Sequence, residues 1–274
     1  MSRDTVENKL DLTQKEIREA ERRSTVSAVV VHEAIRREGE QELQRAPSAL
    51  LWSGLAAGLS MGFSLIGEGL LRAHLPDMPW RPLITKLGYS FGFLLVVLGR
   101  QQLFTENTLT PILPVMLHRD RGMLLRALRL WALVLVSNLT GALIIAWVLS
   151  GTGAFPPEVR RVFADIGREA LSVTFGLALL RGVFAGWLIA FMVWLLPSVE
   201  AFRVVVIVAL TWLVGVGHFT HIIAGSVEAL YLACAGQATF QQVAMGYMLP
   251  TLIGNIAGGV ALVAALNHAQ VVAK

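Results

Sequence analysis

Residues 83–117 read LITKLGYSFGFLLVVLGRQQLFTENTLTPILPVML. An apolar run over 83–98 is cut by Gly99-Arg100-Gln101-Gln102-Leu103-Phe104-Thr105-Glu106-Asn107 and resumes from Thr108 to Leu117 with Pro111 and Pro114 inside it. A helix needs about 20 apolar residues to cross a bilayer, and neither half reaches that length. Irregular, charged backbone at membrane depth is tolerated only where it is buried in protein or lines a water-filled cavity. The stretch therefore predicts a broken membrane helix beside a polar path.

The rest of the chain agrees with a membrane reading. Of its 274 residues 55% are hydrophobic and 15% charged, with a mean hydropathy of +0.62, too little polar surface for a water-soluble domain. The net charge of +4 and pI near 9.6 do not point to nucleic acid, because the basic residues sit mainly between apolar runs. A single cysteine, Cys234, lies in an apolar run, which excludes an internal disulfide frame and a Cys-rich metal site. No basic n-region with an apolar core opens the chain, so no cleaved signal peptide is expected.

Residues 1–46 carry nine Lys or Arg against ten Asp or Glu. A capping box over Thr13 to Glu16 and the pairs Glu19 with Arg23 and Glu33 with Arg37 predict a charged cytoplasmic helical segment ending before Pro47. It reads as a solvated surface helix or as a docking element for a neighbour or for the pore mouth. A transmembrane domain then occupies 47–274. Its first span, 48–71, has Gly54, Gly58 and Gly62 at four-residue spacing, the stripe that lets membrane helices approach closely. Glu68, near its end, is expected to snorkel at the interface. Residues 118–129 hold four arginines against Asp120 alone and are read as cytoplasmic. A third span covers 130–149. Pro156-Pro157-Glu158 then starts an amphipathic helix expected to lie on the outer membrane surface, with Val159, Val162, Phe163 and Ile166 on one face. The fourth span, 171–196, ends at Pro197. A fifth apolar run from Val204 is broken by Gly215-Val216-Gly217-His218-Phe219-Thr220-His221 and continues to Cys234. The last span is 244–266. Six spans return both termini to the cytoplasmic side of an inner (plasma) membrane.

The halves, about 47–150 and 171–270, echo each other. Gly54 to Gly58 matches Gly182 to Gly186, Phe104-Thr105 matches Phe219-Thr220, and Asn138-Leu139-Thr140-Gly141 matches Asn255-Ile256-Ala257-Gly258. Three spans per half force opposite orientations, so the fold class is an all-α membrane protein with an inverted three-plus-three repeat and two broken helices meeting near the midplane.

His221 is the sharpest candidate, an imidazole at membrane depth that exchanges a proton near neutral pH. The alternative is a histidine satisfied by a backbone carbonyl or capping the broken helix. His218 lies on a similar face and reads as pathway or vestibule. Thr105 either donates to an anion or bonds a carbonyl of its own loop. Leu103 and Phe104 either narrow the path as apolar constrictions or simply pack, and Phe219 sits in the second break. Arg100 and Glu106 either pair and hold the loop or set a charged vestibule. Arg181 and Glu228 fit interface positions and are assigned no mechanism. No catalytic constellation, metal-ligand spacing or cofactor motif appears, and none is expected.

Leu103-Phe104-Thr105-Glu106-Asn107, Phe219-Thr220-His221 and the run from Pro250 to Gly259 resemble the signature segments of the formate/nitrite transporter family, most closely its divergent YfdC-like branch, over about 47–267. The resemblance implies an aquaporin-like protomer in a homopentamer, one pore each, passing small monovalent anions of weak acids such as formate, nitrite, lactate or hydrosulfide, with protons and lipid as the other partners. It implies that Thr105, His221, Leu103 and Phe104 match the family's loop threonine, central histidine and constriction. Arg100-Gln101-Gln102 depart from the family's small residues and carboxylate, Gly186 from a common asparagine, and Ala170 from a vestibule lysine. A neutral-solute pore and a non-transporting structural or regulatory protein stay open as rivals.

Overall fold

The computed structural model describes residues 13–14 and 26–273. The expected capping box, which needs Glu16, and the Glu19 and Arg23 pair lie outside the described residues.

Ten helices organise what is described. Helix α1 (Ala28–Gln44) starts at Ser27, whose hydroxyl accepts from Val30 N–H, and Pro47 opens α2 (Pro47–His74) at a position where its missing N–H costs nothing. Then come α3 (Arg81–Leu98), a 3₁₀ turn (Glu106–Thr108), α4 (Ile112–His118), α5 (Arg121–Gly151, capped by Asp120), α6 (Pro157–Leu171) and α7 (Phe175–Leu195, capped by Thr174). Last are α8 (Arg203–Val216), α9 (Ala224–Cys234) and α10 (Phe240–Val272), the last with two π-helical stretches. Among the described residues, helices α2, α3, α5, α7 and α10 are each long and apolar enough to cross a membrane, and α9 is a shorter apolar helix that follows α8.

The repeat is visible in the packing. Helix α2 lies on α3 and α5, and α7 lies on α10 in the other half. The glycine stripe works as expected. A Cβ on Gly58 would run into the backbone of Asn138 and Gly141, and one on Gly186 into the backbone of Asn255. Dispersion between closely approaching backbones, not expulsion of water, is what holds such pairs in lipid. At the centre α9 is buried along nearly its whole length, enclosed by α5, α6 and α2.

Four expectations are corrected by the packing. Glu68 does not snorkel. It is 1% exposed and ion-paired with Lys86 of α3. Helix α6 does not lie on a membrane surface, because its apolar face packs on α9 and α2, with Phe163 edge-on to Tyr231 at 5.7 Å and Arg72 of α2 paired to Glu169 at 2.6 Å. Glu228 is not interfacial but 9% exposed on the central helix. The register of the repeat also differs from the Phe-Thr echo. Gly99, Arg100 and Gln101 donate to Leu95, Val97 and Val96, and Gly217, His218 and Phe219 donate in the same pattern to Leu213, Gly215 and Val214. Arg100 therefore corresponds to His218, and Phe104 to Ile222.

Helix α1 is no solvated rod. Val31, His32, Ile35, Gly39 and Leu43 are buried. His32 Nε2 lies 3.0 Å from His268 Nδ1 of α10, Arg129 of α5 donates to Leu43 O at 3.3 Å, and Gln102 Nε2 donates to Glu42 at 2.9 Å. The predicted Glu33 and Arg37 pair is present at 2.6 Å.

Candidate functional site

Each apolar run ends in the same device. The last carbonyls of α3 and α8 are capped by a pair of bonds in which the residue after the helix takes a left-handed conformation. That residue is normally glycine, yet here it is Arg100 (φ 50°) and His218 (φ 51°). A side chain is held at each position despite the strain of that conformation, which marks both as candidates for function.

Beyond the cap, two asparagines hold the loops in matching ways. Asn138 Oδ1 accepts from Phe104 N–H at 2.9 Å, and its Nδ2 donates to Gly54 O (2.7 Å) and Gln102 O (2.8 Å). Asn255 Oδ1 accepts from Ile222 N–H at 2.9 Å, and its Nδ2 donates to Gly182 O and Thr220 O, both at 2.9 Å. Both asparagines are fully buried. Each stitches a broken loop to the neighbouring long helix and satisfies backbone groups freed by the break.

The loops meet at one point. Thr105 Oγ1 lies 2.8 Å from His221 Nε2, and both residues are fully buried. His221 Nδ1 faces the backbone N–H groups of Ile223 (3.3 Å) and Ala224 (3.2 Å) at the start of α9. Two donors on Nδ1 leave the ring proton on Nε2, so the imidazole donates to the Thr105 hydroxyl. The threonine keeps its own O–H for another acceptor. Thr108 Oγ1 donates to Thr105 O at 2.7 Å, Tyr247 Oη to His221 O at 3.3 Å, and Phe93 stands edge-on to the imidazole with ring centres 4.9 Å apart.

Water-accessible cavities lie on either side of this closed junction. One, of about 600 Å³, is lined by Arg37, Glu38 and Glu42 of α1 together with Arg100, Glu106 and Arg203. Arg100 and Glu106 do not pair, because no ion pair joins them among the described residues, and both line this vestibule. Burial raises the Glu42 carboxyl above the usual range, against the bonds from Arg45 and Gln102. On the opposite face a cavity of about 550 Å³ reaches Glu68, Arg72, Lys86 and His218, and a narrow one of about 60 Å³ continues inward past Tyr89, Val214, Phe219 and Thr220. Leu103 and Phe104 are fully buried beside the junction, with Phe104 edge-on to Trp131 at 5.7 Å. Phe219 stacks on Phe184 at 5.2 Å.

Sequence reasoning missed Phe93, Tyr89, Tyr247 and Lys86, which look like ordinary span residues. It noticed Asn138 and Asn255 as an echo without giving them a role. A lone amide repeated at the same place in both halves of a hydrophobic chain is the signal that could have found them.

The chain matches the family model described as formate/nitrite transporter over residues 29–269. It is 43% identical over 257 residues to the inner membrane protein YfdC of Escherichia coli (strain K12), covering 94% of this chain and 83% of that protein. It is 26% identical over 234 residues to the formate channel BtFdhC of Bacillus thuringiensis, covering 82% and 88%. Two solved structures share its fold, a pentameric formate channel with formate bound (TM-score 0.66, 21% identity, 80% of this chain and 95% of that one) and an FNT family ion channel (0.74, 18%, 86% and 96%). With its aquaporin-like architecture and a family match spanning nearly its whole length, the chain belongs to the formate/nitrite transporter family.

Proposed function

We propose that the protein is a passive or proton-coupled channel for small monovalent anions of weak acids, with the path running through each protomer between the two broken helices. The observation that carries this reading is the buried contact between Thr105 and His221, set between two water-accessible cavities where the two broken loops meet. The Thr105 O–H is the donor left free at this point, backed by the relay from the N-terminal amides of α9 through the imidazole to its oxygen, and a donor at a dry constriction lowers the barrier to an anion and raises it for a cation. Leu103 and Phe104 form the apolar part of that constriction. Arg100 with Glu106 lines one vestibule, and His218 with Phe219 lines the other.

The relatives support this reading, since they include a formate channel and, among the solved structures, a pentameric formate channel with formate bound. A pentameric assembly comes to this chain by the same route. The arginine-rich start of α5 sits on the α1 face, so that face is cytoplasmic and the α6 face external. The test is stopped-flow flux in proteoliposomes for formate, nitrite, acetate, lactate and hydrosulfide, with chloride and glycerol as controls. Passage of weak-acid anions with little chloride or glycerol supports the reading. Passage of glycerol instead, or of nothing through folded protein, overturns it.

A further inference from the structure

Behind the narrow cavity on the α6 face lies a charge arrangement that the central junction does not use. Lys86 of α3 threads along Gly215, its methylenes 3.1–3.4 Å from where a Cβ on that glycine would sit, and its ammonium is paired with Glu68 of α2. That pair is nearly inaccessible, with the two side chains 12% and 1% exposed. The carboxylate of Glu68 thus has its counter-ion, and Lys86 has no second full charge to give. Glu228, 9% exposed on α9, lines the same narrow cavity as Lys86 and makes neither a hydrogen bond nor an ion pair among the described residues. The other titratable or charged groups facing that cavity are Tyr89 of α3, Glu169 of α6, Arg181 of α7, His218 in the second break and Tyr247 of α10. A carboxylate stripped of water and without a partner is among the costliest groups to place at membrane depth.

We propose that Glu228 is held as a neutral carboxyl whose O–H points into the narrow cavity, where it receives a small anion by hydrogen bonding and admits it only while the proton stays on. This deepens the channel reading and rests on it for its substrate. A neutral Glu228 leaves the Lys86 and Glu68 pair balanced and offers the anion a donor. An ionised Glu228 puts an uncompensated negative charge on the narrow cavity that leads inward from the α6 face and turns the anion away. The residue is thus a proton-dependent selectivity element at the entrance, separate from the central imidazole.

Two measurements test this, and one of them needs no flux. In infrared spectra of the full-length protein in lipid at neutral pH, a protonated-carboxyl C=O band is expected that is lost in Glu228→Gln and in Glu228→Met and kept in Glu68→Gln. Absence of that band in the wild type, its persistence in both Glu228 variants, or its loss in Glu68→Gln instead overturns the proposal even if no anion moves. In proteoliposomes, formate flux is expected to drop about tenfold as the α6-side pH rises through the titration of Glu228, and Glu228→Gln, whose amide donates at every pH, gives flux without that drop. An unchanged pH profile in Glu228→Gln overturns the proposal and leaves the channel reading standing. No anion flux in any protein overturns the channel reading, and the infrared band alone then decides the protonation state.

Discussion

Asn138 and Asn255 show how much of this molecule hangs on single side chains. Each makes three hydrogen bonds to backbone at full burial, two to groups that the helix break leaves open and one to a carbonyl of the neighbouring long helix. Replacing either by alanine strands one N–H and one carbonyl of the loop and unties the loop from that helix, at a cost of about 2–4 kcal/mol after partial relaxation. Thermal unfolding in detergent, followed by tryptophan fluorescence, is expected to show comparable losses for Asn138→Ala and Asn255→Ala. A large loss in one and none in the other would mean that the repeat is not equivalent at its loops. At this scale the sequence was legible in part. His221 and Thr105 stand out because polar groups at breaks in apolar runs are costly, and the structure brings them to 2.8 Å. The Glu68 and Lys86 pair was not legible. Its partners are 18 residues apart across a turn, and only the crossing of α2 and α3 puts them together.

At the scale of elements, both broken helices were readable because glycine and charge interrupt otherwise apolar runs. Their register was not, since the echo of Phe104-Thr105 with Phe219-Thr220 compares letters, whereas the asparagine bonds and the paired left-handed residues set the true correspondence. Helix α6 shows the same limit. Its one-sided pattern of Val159, Phe163 and Ile166 announces a buried face, but a pattern does not say whether lipid or protein covers it. Helix α1 adds a pH prediction. Burial, with His268 next, holds His32 below the usual histidine range. The group is therefore neutral in the docked helix, and the sign follows. Docking is at full strength above the ordinary histidine range and weakens as pH falls below about 6.5, where the undocked form takes up its proton first. Glu33, held down to about 2 chiefly by the hydrogen bonds from Arg36 and then Arg37, stays charged throughout and contributes nothing to that change. Hydrogen exchange of α1 amides is expected to quicken between about pH 7.5 and pH 5.5, beyond the intrinsic rate change, in the wild type and not in His32→Leu. Equal behaviour of the two would show that α1 is held by its apolar and Glu42 contacts alone.

For the whole molecule, the account makes one closed junction separate two wet vestibules, with His221 fixed in one tautomer by α9 and Thr105 fixed by its own loop. Everything else in the fold, from the glycine contacts to the buried length of α9, keeps those two loops in register. The most direct test compares initial formate flux in proteoliposomes at two pH values for wild type, His221→Ala and Thr105→Val, each checked for folding and for equal incorporation. Wild-type flux is predicted to rise at the lower pH, with a drop of about tenfold or more in both Thr105→Val and His221→Ala and the pH dependence retained in the flux that remains, because Glu228 is intact in both. Wild-type rates retained in both variants would contradict this and move the conducting path away from the junction.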